Sequence, residues 1–146
     1  MKKGIYLFFA VVMSLALTAC GESTEKKDTK ADKVAEAPDY GSHKVEVYYF
    51  HGDRRCPACN NLESVAQQTV SEEFGDNDDV RFYIVNFERA HNRELAQKYS
   101  VTFSALLIVS GDDVIDLTLE GFQFATASPH LFRNEIIEVV NSFLEA

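Results

Sequence analysis

The chain is poor in basic residues: 14 lysines and arginines stand against 23 aspartates and glutamates, a formal net charge of -9 over 146 residues. A surface of that sign offers little to a phosphate backbone, which excludes nucleic acid binding, and it will not adhere to anionic headgroups by charge. Cysteine is scarce too, at three residues, too few for a miniprotein stapled by disulfides. The main apolar run, Ile5 to Leu17, is shorter than the roughly 20 residues a membrane-spanning helix needs, and it ends in small and polar residues. No internal repeat is present, and no low-complexity segment beyond a polar stretch near the start. What remains is room for one domain with a tail, and 46% hydrophobic residues from which to build a core.

The start of the chain reads as an address. Lys2 and Lys3, the apolar run, and Leu17-Thr18-Ala19-Cys20 form a charged region, a hydrophobic region and a small-residue cleavage site. The Leu-x-Ala-Cys ending resembles the lipobox of bacterial lipoproteins. That resemblance implies a signal peptide over residues 1–19, acylation of Cys20 by palmitate-type chains, and a protein in the bacterial cell envelope, facing the periplasm and held at a membrane by lipid. Residues 20–42 are the lipidated cysteine and a tether of mixed charge with almost no apolar surface to order it. Random-coil scaling gives that tether a reach on the order of 25 Å, and a short helix over residues 30–36 fits within it. The folded domain is expected over 43–146.

Within the domain, Lys44 to His51 is rich in Val, Tyr and Phe between Gly-containing turns, which predicts a strand. Leu62, Val65, Ala66, Val70 and Phe74 recur at helical spacing from Pro57 to a stop at Gly75. Val80 to Phe87 predicts a second strand, Asn92 to Tyr99 a short helix, and Ala105 to Ser110 a third strand. Gly111-Asp112-Asp113 turns that strand into Val114 to Leu119 as a hairpin. Ser128-Pro129 then opens a helix with Phe132, Ile136, Val139, Val140 and Phe143 on one side. Helices between the first three strands predict parallel pairing, with one antiparallel edge at the hairpin. The expected class is α/β, a mixed four-stranded sheet with helices on both faces. The clustered aromatics, Tyr48 to Phe50 and Phe82 to Phe87, read as sheet and core residues.

Cys56-Pro57-Ala58-Cys59 follows the first strand and opens the first helix. A helix N-terminus carries unpaired N–H groups and partial positive charge, which favours a thiolate at Cys56, and Arg54 and Arg55 add charge of the same sign. Two intervening residues place Cys59 within bonding reach of Cys56, so it can resolve a mixed disulfide formed there. Pro57 fits the first turn because its missing N–H removes nothing needed. An inert structural disulfide is the bland alternative in an oxidising compartment. A zinc site would need further ligands, and His43, His51, His91 and His130 are scattered, so no metal site is assigned. Soft thiolates do suit monovalent copper or arsenic-type species.

This pattern of a C-x-x-C after the first strand of a strand-helix-strand-helix-strand-strand-helix chain resembles the thioredoxin superfamily over residues 44 to 145, in a divergent, membrane-anchored lipoprotein branch. Val85-Asn86, Gln97-Lys98-Tyr99-Ser100-Val101, Gly111-Asp112 and Gly121 carry further likeness. The resemblance implies a thioredoxin-like fold and thiol-disulfide exchange, with Cys56 attacking and Cys59 resolving. It implies client proteins bearing disulfides, a membrane thiol electron carrier that resets the pair, and no small-molecule cofactor; a monomer is expected. The reading is a reductase, and the alternative is a thiol module that holds a partner protein or a soft metal without turnover.

Three positions depart from the family pattern. Where a cis-proline usually precedes the third strand stands Ser104, after Phe103, which is placed to line a groove beside the cysteines. The buried carboxylate usually found six residues before the first cysteine would fall at Phe50, with His51 as the nearest titratable substitute. The tryptophan common before the pair is Arg55. His51, Arg54, Arg55, Phe103 and Ser104 are therefore the candidate tuning or groove residues around Cys56 and Cys59.

Overall fold

The computed structural model of the protein describes residues 38–146. The expected signal peptide, Cys20, the tether up to residue 37 and its short helix lie outside the described residues. Within them, β1 (Val45–His51) leads to α1 (Pro57–Phe74), β2 (Val80–Asn86), a single 3-10 turn (Ala90–Asn92), α2 (Arg93–Lys98), β3 (Ala105–Ser110), β4 (Asp113–Asp116), α3 (Thr118–Phe124) and α4 (Pro129–Glu145). No helix among the described residues is long and apolar enough to cross a membrane.

The sheet has the order β2-β1-β3-β4, so β1 is central, and its residues from Val45 to Phe50 are buried. Alternation sorts its side chains between two cores. Val45, Val47 and Tyr49 join Leu62, Ala66 and Val70 of α1, Leu106 and Ile108 of β3, and Phe132, Ile136 and Val140 of α4 on one face. Tyr48 and Phe50 face the other way, with Val85, Leu107 and Ala96 of α2. That second face is an aromatic layer. Tyr48 stacks on Tyr83 at 5.3 Å between ring centroids, and Tyr40, ahead of β1, meets both edge-on. The α/β class, the four-stranded mixed sheet and helices on both faces are as the thioredoxin-like resemblance implies.

Two expectations are corrected. β1 and β2 are parallel, but β1 and β3 pair antiparallel, Phe50 opposite Ala105 and Glu46 opposite Val109. The helix between β2 and β3 explains why: six residues rise only about 9 Å, whereas a seven-residue strand spans about 23 Å. The chain is not carried back to where the strands begin, and β3 starts at the end where β1 and β2 finish. The second correction concerns the hairpin. Gly111, at φ +60°, makes the expected turn, but β4 ends at Asp116, and residues from Thr118 form a helix in place of strand. Asp116 accepts the Thr118 N–H at 2.9 Å, and the Thr118 hydroxyl accepts the Leu106 N–H at 3.0 Å, so polar side chains end the pairing and bind β3 to the helix start. Gly121 lets that helix lie close: a Cβ there would stand 2.7 Å from Leu62 and 2.9 Å from Phe132.

Candidate active site

The last residue of β1 runs into Gly52-Asp53-Arg54-Arg55 and then Cys56. That loop is stitched to the end of β2. The Asp53 carboxylate accepts from Asn86 Nδ2 at 2.7 Å and from the Arg89 guanidinium at 2.9 Å, while the Asp53 N–H donates to Glu88 at 3.1 Å. The hydrogen bond from Asn86, with the Arg89 charge beside it, holds the Asp53 carboxyl below its usual range. Gly52 is tightly placed, since a Cβ would come within 2.8 Å of Glu88 Oε1. His51 stacks on Tyr49 at 6.0 Å, and its Nδ1 meets the Gly52 carbonyl at 2.9 Å, a contact that requires the proton on Nδ1.

Cys56 and Cys59 form a disulfide with their Cα atoms 5.1 Å apart. Cys56 is the N-cap of α1: its backbone is extended, Pro57 takes the first turn, and its sulfur accepts the Cys59 N–H at 3.1 Å. The two sulfurs differ in access. Cys56 is exposed, whereas Cys59 is 8% exposed on the face of α1 that meets the sheet. An exposed sulfur on unpaired helix N–H groups, backed by a buried one, is an arrangement suited to attack from outside and release from within.

Beneath the pair stands Tyr49, fully buried, whose hydroxyl donates to the Cys59 carbonyl at 2.9 Å. Burial first, and then the charge of Glu63, raise its phenol above the ordinary value, while Arg55 and the Ser104 hydroxyl oppose the shift. Glu63 lies one turn beyond Cys59 on α1, 15% exposed, and forms an ion pair with Arg55. Arg55 is thus drawn along the helix toward Glu63. Arg54 makes no ion pair among the described residues.

The expected site residues therefore fall into two groups. His51, Arg55 and Ser104 converge around Tyr49. Arg54, Phe103 and Ser104 line an open groove of about 520 Å³. Phe103 is 66% exposed, and Ser104 sits where the resemblance places a cis-proline; no cis peptide bond occurs among the described residues. Counting six residues back from Cys56 lands on Phe50, which faces the aromatic layer. The polar group under the pair is Tyr49, one residue earlier. Its signal was available, since Val45, Val47 and Tyr49 alternate onto the face that α1 covers. Glu63 had a signal too, four residues after Cys59 and so on the same helix face.

No family model matches the chain, and no curated protein is similar to it. Solved structures similar to parts of it include Trxlp from Edwardsiella tarda EIB202, at TM-score 0.46 and 18% identity over 65% of this chain and 84% of that one. A malarial protein matches at TM-score 0.39 and 17% identity over 56% of this chain and 94% of that one. The zinc-bound form of human ERp44 matches at TM-score 0.38 and 21% identity over 50% of this chain and 21% of that one.

Proposed function

We propose that the protein is a thiol-disulfide oxidoreductase acting on protein disulfides, working as a reductase and anchored by lipid at Cys20 on the periplasmic side of the bacterial envelope. The observation that carries the chemistry is the Cys56–Cys59 disulfide at the start of α1, with one sulfur exposed and the other buried. In the reduced protein, the Cys56 thiolate attacks a client disulfide, a mixed disulfide forms, and one client thiolate leaves and takes up a proton. Cys59, giving up its proton, then attacks the Cys56 sulfur, which releases the second client thiol and re-forms the protein disulfide. Two electrons have passed to the client, and a membrane dithiol carrier restores them. The Leu-Thr-Ala-Cys sequence supports the anchor, and the polar stretch after it would let the domain reach both carrier and client.

The test is the reduction potential of the full chain, purified in detergent and equilibrated against glutathione or dithiothreitol. A value near about -270 mV supports a reductase and one near about -120 mV an oxidant; a pair that resists reduction well below about -300 mV is a structural disulfide, and the enzymatic reading falls. Cys59→Ala adds an independent check, since it should trap client adducts on Cys56 in cells.

A further inference from the structure

A groove lies between the loop that precedes Cys56 and the loop that precedes β3, with Asp53, Arg54, Phe87, Glu88, Phe103 and Ser104 among its walls. Its charges are unequal in what they have left to offer. Asp53 is taken up by Asn86 and Arg89, and Glu88 receives the Asp53 N–H. Arg55 is committed to Glu63. Arg54, exposed and two residues before Cys56, keeps its guanidinium without an ion pair among the described residues. Residues 38–146 carry eight Lys and Arg against 18 Asp and Glu, and of those eight cations Arg54 is the one among the groove's lining residues. Across the groove, Phe103 presents a largely exposed aromatic ring.

A guanidinium with five donors and no acceptor of its own is matched by a carboxylate. Building on the oxidoreductase reading, we infer that this groove receives the client polypeptide, and that Arg54 selects clients whose reactive cysteine is flanked by an aspartate or glutamate, with apolar client surface resting on Phe103. The acidic body repels an anionic client at a distance, so the selection operates at contact and not by long-range steering. It therefore depends on where the client's acidic residue stands and not on the client's net charge.

That distinction sets the experiment. Two peptides of identical composition are prepared as symmetric disulfide-linked dimers, one with glutamate beside the cysteine and lysine at the far end, the other with the two exchanged. The reduced full chain is reacted with each, every rate is divided by that of dithiothreitol on the same peptide, and the neutral hydroxyethyl disulfide is run alongside. The glutamate-flanked peptide should react about fivefold faster, the factor one unit charge pair at contact supplies in water. Arg54→Ala should bring the ratio to one, and Arg54→Glu should invert it. Equal normalised rates in the unaltered protein, with hydroxyethyl disulfide still reduced, would overturn the selection and leave the oxidoreductase reading intact. Failure to reduce hydroxyethyl disulfide or either peptide would overturn both.

Discussion

The Tyr49 hydroxyl donates a 2.9 Å hydrogen bond to the carbonyl of Cys59, joining the most buried strand of the sheet to the helix turn that holds the disulfide. Tyr49→Phe keeps the ring in the core and removes only this donor. A loss of about 1 kcal/mol is expected, the usual net worth of one such bond, read as a lower urea midpoint with an unchanged slope. An unchanged midpoint would mean that the bond contributes nothing to the fold.

Tyrosine burial gives the fold a limit at alkaline pH. Tyr40, Tyr48, Tyr49 and Tyr83 all have phenols raised above the ordinary value of 10.0, in each case chiefly by burial, and for Tyr48 also by its hydrogen bond to buried Glu46. A raised folded value means that above pH 10 the native state holds more protons than the unfolded chain, so stability falls as pH rises. Urea midpoints should be level between about pH 8 and 9 and drop beyond about 10. Tyr48→Phe should flatten that drop. A midpoint that stays level past pH 10 would contradict the burial of these hydroxyls.

Gly121 is where α3 touches both α1 and α4. Since a Cβ would lie inside contact distance of Leu62 and Phe132, Gly121→Ala should destabilise the protein by about 1 to 3 kcal/mol, the usual range for overpacking. Thermal unfolding reads this directly. Gly111→Ala makes a useful contrast, because nothing lies within 4 Å of its Cβ position and only the left-handed backbone at φ +60° resists the change. Its cost should be about 1 kcal/mol.

Phe103 carries almost no packing for the domain, being 66% exposed. Phe103→Ala should leave the urea midpoint within about 0.5 kcal/mol of the original. Reduction of a polypeptide disulfide should slow by about threefold to tenfold, as expected when an exposed aromatic contact worth about 1 kcal/mol is removed. Equal slowing on hydroxyethyl disulfide would show that the ring serves the cysteines and not the client.

The strands of the sheet were legible as short runs rich in Val, Ile, Tyr and Phe bounded by turn residues, the two long helices because their apolar residues recur at a period of 3.6, and Pro57 and Pro129 mark helix starts whatever the tertiary contacts. α3 was not. Leu117-Thr118-Leu119 continues a strand-like alternation, and what turns it into helix is the side-chain bonding of Asp116 and Thr118 to backbone groups, which becomes apparent only once β3 lies alongside. The direction of β3 was hidden for a related reason: the connection contains a helix, but one too short to span the strand. At the site, the cysteine pair was fixed by spacing alone. Tyr49 was obscured by counting from the cysteine, where the phase of the strand decides which side chain faces α1.

In capping α1, the Cys56 sulfur performs a task that does not depend on its oxidation state. A disulfide sulfur accepts the Cys59 N–H, and a thiolate at the same place accepts it more strongly, because a charged acceptor forms the stronger bond. Reduction therefore leaves the 18-residue helix its first-turn partner, so the turn that holds the pair keeps its cap while the sulfurs exchange electrons.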